Sequence, residues 1–124
     1  MSELDGLRVL VVEDEGPVAL LIEDMLLELG CELAASAADV DEACRLAASE
    51  NIDFALLDLN IGGCSSLPAA QILHRRGIPF VFSTGYGVSR VPAEFQSYPS
   101  LAKPYVLSDL EAKILLALDR SPRC

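Results

Sequence analysis

Five short apolar runs constrain this chain more than any other feature: Leu7–Val12, then residues 31–36, 54–57 and 79–83, and the weaker Ser100-Leu101-Ala102. Their starts fall 21 to 25 residues apart, and helical patterns fill most of the gaps. Strand alternating with helix at this spacing predicts a parallel sheet covered on both faces. The first helix follows from Val18, Leu21, Ile22, Met25, Leu26 and Leu29, with Glu23, Asp24 and Glu28 opposite and Gly30 as its stop. A second begins at Asp39, whose spacing to Glu42 suits a capping box, and carries Val40, Ala43, Leu46 and Ala47. A third runs from Ser66 to Arg76, with Pro68 in its first turn and Gly77 past its end. The last starts at Ser108 and buries Leu110, Ile114, Leu115 and Leu118. Between Tyr86 and Tyr98, Gly87, Pro92 and sparse apolar residues predict a short or unstable helix.

The 124 residues make one domain, with no linker or second unit, and 52% hydrophobic against 23% charged residues argues against disorder. No apolar run approaches the ~20 residues of a membrane span, and the start lacks signal-peptide character. A soluble, cytoplasmic protein is expected. Nineteen acids against nine bases give a net charge of −10, which disfavours nucleic acid as a partner. Cys31, Cys44, Cys64 and Cys124 form no CxxC pair, so metal or redox spacing is absent. The single histidine, His74, sits with Arg75 and Arg76 in a helix's last turn, where it stabilises the helix end.

Ligands of open parallel α/β sheets bind beyond the carboxyl ends of the strands. Glu13 and Asp14 follow the first run and Asp58 the third; Thr84 ends the fourth, and Lys103 follows the fifth. Taken singly, Asp14 could cap a helix, Thr84 could end a strand and Lys103 could be a solvated turn residue. Together they bring three carboxylates, a hydroxyl and an ammonium to one rim. Two carboxylates ~4 Å apart repel by about 4 kcal/mol at an effective dielectric near 20, so either their pKa values rise or a cation binds. Oxygen ligands of this kind suit Mg2+. A carboxylate beside such an ion, with lysine and hydroxyl in reach, is equipped to attack phosphorus and form an acyl phosphate.

The segments Val9–Glu15, Leu56–Gly63, Phe82–Gly87 and Ala102–Tyr105, in that order, resemble the receiver domain of bacterial two-component response regulators. The resemblance covers essentially the whole chain: a receiver domain over residues 1–124, core about 6–119, without an output domain. It implies the flavodoxin-like receiver fold, a five-stranded parallel sheet of order 2-1-3-4-5 with five helices. It implies that Asp58 is the phosphoacceptor, that Glu13 and Asp14 hold Mg2+ with Asp58 and the Asn60 backbone carbonyl, and that Thr84 and Lys103 read the phosphate. It further implies a sensor histidine kinase as phosphodonor, a downstream target or phosphotransfer protein as recipient, and no enzymatic activity beyond assisting its own phosphorylation and dephosphorylation. Residues 78–87 are similar to the signature of the FAT GUY receivers, with Ser83 in place of alanine, and Gly62-Gly63 fits that group. Ser100 stands where receivers commonly carry a switch aromatic, so the signal is expected to leave through residues 85–99 instead.

Three rival functions share parts of this pattern. A haloacid-dehalogenase-type phosphatase needs Asp-x-Asp after its first strand, and a flavodoxin-like cofactor binder needs a Ser/Thr-rich phosphate loop there. Glu13-Asp14 satisfies neither. A phosphorylation-independent receiver acting as an interaction module is the alternative that remains.

Overall fold

The computed structural model describes residues 4–84, 93–95, 99–103 and 105–120. Five parallel strands, β1 (Arg8–Val12), β2 (Glu32–Ala37), β3 (Phe54–Asp58), β4 (Phe80–Thr84) and β5 (Ser100–Ala102), pair in the order 2-1-3-4-5. Among the described residues four helices accompany them: α1 (Gly16–Glu28), α2 (Val40–Ser49), α3 (Leu67–Arg75) and α4 (Leu107–Arg120). The expected alternation and strand order are both present.

Successive side chains of a strand point to opposite faces, and here both faces are buried. Val9, Val11, Phe54, Leu56, Val81 and Leu101 meet Ile22 and Leu26 of α1 and Leu110 and Ile114 of α4. Leu10, Val12, Ala55, Leu57, Phe80 and Phe82 meet α2 and α3 through Ala43, Ala47, Ala69, Ala70 and Leu73. Small residues on these two helices let them lie close to the bulky strands.

Helix starts differ in detail from the sequence reading. The Asp39 carboxylate caps α2 by accepting from the Glu42 amide at 2.8 Å, but the Glu42 carboxylate accepts from Ala38 rather than Asp39. Ser66 precedes α3 without capping it, because its hydroxyl donates to the Leu59 carbonyl. The first residue of α4 is Leu107, and Asp109 rather than Ser108 holds the turn by accepting from the Val106 amide. Leu21 and Leu115, both expected inside, are 57% and 36% exposed. Ile22 and Leu26 alone are fully buried from α1, while Ala117 takes the place expected for Leu115 in α4.

A further element was not expected. Asn60–Ile61 and Cys64–Ser65 pair as a small antiparallel hairpin, with Gly62 and Gly63 at its tip. Both glycines have positive φ (56° and 83°), the pattern of a two-residue type I′ turn. Most of the helix expected between Tyr86 and Tyr98 lies outside the described residues. Within it Ala93–Phe95 forms a 3-10 turn, and Phe95 is buried edge-on against Phe80 and Phe82.

Candidate functional site

Backbone bonds carry the sheet one residue past the strand ends. The Glu13 amide donates to the Ala37 carbonyl, Leu59 to Ser83, and Lys103 to Thr84. These bonds fix Glu13, Asp58, Thr84 and Lys103 on one rim, at the point where strand order reverses between β1 and β3. All five side chains named for this rim lie there, and Asn60 begins the hairpin beside them.

Lys103 is the centre of the charge pattern. Its ammonium donates to Glu13 Oε1 at 2.8 Å and to Asp58 Oδ2 at 2.9 Å. The Glu13 side chain is 1% exposed, and burial pushes its carboxyl above the usual range although Lys103 and the Glu15 amide pull the other way. Burial also lowers the Lys103 ammonium, but its two carboxylate partners outweigh this and the net shift is upward. A buried acid is retained here because a cation faces it.

Asp14 is exposed, and its Oδ2 accepts from the Gly62 amide at 2.8 Å. It does not cap α1: the cap position is Glu15, which makes no side-chain capping bond. Carboxylate oxygens of Glu13, Asp14 and Asp58 all lie within 4.8 Å of one another. That hard-oxygen set fits a small divalent ion such as Mg2+.

Asp58 stands between two cavities. One, of about 460 Å3, is lined by Asp14, Asn60, Gly62, Gly63 and Lys103; the other, of about 310 Å3, by Asn60, Gly63, Ser65, Leu67 and Thr84. The carboxylate therefore has acids and the ammonium on one side and a hydroxyl-bearing wall on the other. Behind it, Ser83 Oγ and the Tyr105 hydroxyl are buried near each other without closing a well-formed hydrogen bond. Burial raises the Tyr105 phenol, and Ser83 offsets only part of this. Ser100 Oγ, in the position of the missing aromatic, is likewise buried without a partner.

Sequence reasoning gave no role to Gly62 or to the Ser66 hydroxyl. Paired glycines between short segments signal a type I′ hairpin, so the first was legible in principle. Ser66 carried no such signal.

A doubly wound α/β domain with a cation-competent acidic rim at its switch point is what the fold and the site define. The chain belongs to the response regulator receiver domain family, whose pattern matches residues 9–114. Members of that family are signalling modules rather than enzymes acting on an external substrate. Among solved structures the chain is similar to SdrG from Sphingomonas melonis Fr1, at 39% identity and TM-score 0.80, covering 95% of this chain and 98% of that one. It is also similar to TrrA from Thermotoga maritima, solved in complex with Mg2+ and BeF, at 26% identity and TM-score 0.79, covering 90% of this chain and 99% of that one. The transcriptional regulatory protein PdtaR of Mycobacterium tuberculosis is 31% identical over 117 residues, 91% of this chain. The chain spans 57% of PdtaR's length. No helix among the described residues is long and apolar enough to cross a membrane.

Proposed function

We propose that Asp58 accepts a phosphoryl group from a sensor histidine kinase or a small acyl phosphate, in a Mg2+-dependent reaction. The observation that carries this reading is Asp58 itself, held at 2.9 Å from the Lys103 ammonium between a cation-competent acid pair and the cavity that Thr84 lines. In the transfer, an Asp58 carboxylate oxygen bonds to phosphorus while the bond to the donor breaks and its electrons leave with the donor. Glu13, Asp14, Asp58 and the Asn60 carbonyl would hold Mg2+, which supplies positive charge to the transferring phosphoryl oxygens. Lys103 contributes the second positive charge, and Thr84 offers a hydroxyl to the bound phosphoryl group.

The segment 78–87 and the Gly62-Gly63 pair support placing the chain among the FAT GUY receivers, with Ser83 in place of that group's alanine. Unpaired thiols at Cys31, Cys44 and Cys64 suit a reducing cytoplasm. The recipient of the signal is a protein, either a phosphotransfer partner or a target bound on phosphorylation, since a net charge of −10 repels nucleic acid.

Incubation with a small acyl phosphate tests the assignment. Native protein should acquire an acid-labile label only with Mg2+, and Asp58→Asn should acquire none while keeping its fold. Undiminished, acid-stable labelling of Asp58→Asn would overturn the reading.

A further inference from the structure

The hairpin at Asn60–Ser65 does more than connect β3 to α3. Its tip reaches the loop after β1, where the Gly62 amide donates to Asp14 Oδ2 at 2.8 Å across 48 residues of sequence. Asp14 is otherwise on an exposed loop, with no cap or ion pair among the described residues to orient it. Carboxylates that ligate metals are commonly held through one oxygen by an outer donor, and losing such a donor typically lowers affinity by roughly 10–100-fold.

We propose that the Gly62 amide is a positioning group for divalent cation binding: it holds Asp14 by one oxygen and leaves the other to the ion. This rests on the cation site of the phosphoacceptor reading. The turn supports the assignment because the amide is aimed by backbone conformation. At φ 56° and 83°, Gly62 and Gly63 adopt a conformation few residues accept, and it fixes the N–H direction without help from any side chain. The base of the hairpin is held as well. Ser66 donates to the Leu59 carbonyl through both its amide (3.0 Å) and its hydroxyl (3.2 Å). A Cβ built at Gly62 meets nothing within 4 Å, so the glycine is required by conformation and not by space.

Replacing Gly62 by glycolic acid turns its amide into an ester, which removes the donor and weakens the Ile61 carbonyl as an acceptor; the Gly63–Cys64 junction allows the chain to be assembled by chemical ligation. Mg2+ titration followed by NMR should show affinity lowered about tenfold or more in the ester, with thermal stability close to native. Gly62→Asn, which keeps the N–H and tolerates positive φ, should restore most of the affinity. Without any metal, Asp14→Ala should shift the Gly62 amide resonance and speed its exchange, leaving Gly63 largely unmoved. Native affinity in the ester, or an unmoved Gly62 amide in Asp14→Ala, would overturn the proposal. At saturating Mg2+ the ester should still be phosphorylated, because the defect is one of metal affinity. Absence of labelling in native protein under the same conditions would instead count against the phosphoacceptor reading, leaving the affinity comparison intact.

Discussion

Lys103 satisfies two carboxylates at once, and for one of them, Glu13, it is the counter-charge beside a single amide donor from Glu15. Glu13 is buried, so removing the ammonium leaves a charge without its partner in a poorly solvated place. Lys103→Ala should therefore lower stability by about 3 kcal/mol at pH 7 in urea unfolding, and by clearly less in a Glu13→Gln background. An equal loss in both backgrounds would mean that Lys103 acts through its alkyl packing. The pH dependence has a definite sign. The ammonium's pKa is raised above its ordinary 10.5 in the folded protein, against a desolvation effect of opposite sign. Its stabilisation is thus complete below pH 10.5 and fades as pH rises through the folded value. The alkaline loss of stability should be shallower in Lys103→Ala. The same residue would serve the proposed phosphorylation, since an ammonium 2.9 Å from Asp58 is already within reach of anything attached there.

At the scale of elements, the leucines of α1 separate into two kinds. Leu26 is buried against the sheet, whereas Leu20, Leu21 and Leu27 are each more than half exposed. Leu26→Ala should cost about 2–4 kcal/mol and Leu21→Ala less than about 0.5 kcal/mol, measured by chemical denaturation. A comparable loss at both sites would contradict the packing described. This helix also shows where the sequence stops being readable. Helical periodicity located the four helices of the described fold and short apolar runs its five sheet strands, because each helix buries one face and the central strands bury both. On α1, however, apolar residues cover more of the circumference than the sheet can accept, so the pattern alone could not exclude Leu21. The site was legible because its acids, hydroxyl and lysine each follow an apolar run, and topology brings such positions together. The hairpin left only its paired glycines as a signal, since two-residue strands have no period to detect. Its contact with Asp14 joins residues 48 apart through a backbone amide, which leaves no mark on side-chain chemistry.

For the molecule as a whole, the 2-1-3-4-5 order places the reversal point between β1 and β3, so the acid pair and Asp58 become neighbours through the sheet's central pairing. Phosphorylation would add roughly two negative charges to a chain already at −10, which favours a basic protein surface as its reader. The amides of Glu13, Leu59 and Lys103, which bond to Ala37, Ser83 and Thr84, extend the sheet into the rim. Opening them requires the strand ends to come apart. Their hydrogen exchange should therefore match that of core amides such as Val11 and Leu56, and exchange at loop rates would refute this. In such a molecule, warming does not first produce a folded protein with a damaged receptor site. Competence to be phosphorylated and the folded state would vanish along one melting curve, so that a marginally folded variant presents as a smaller population of fully responsive molecules and not as a uniform population of sluggish ones.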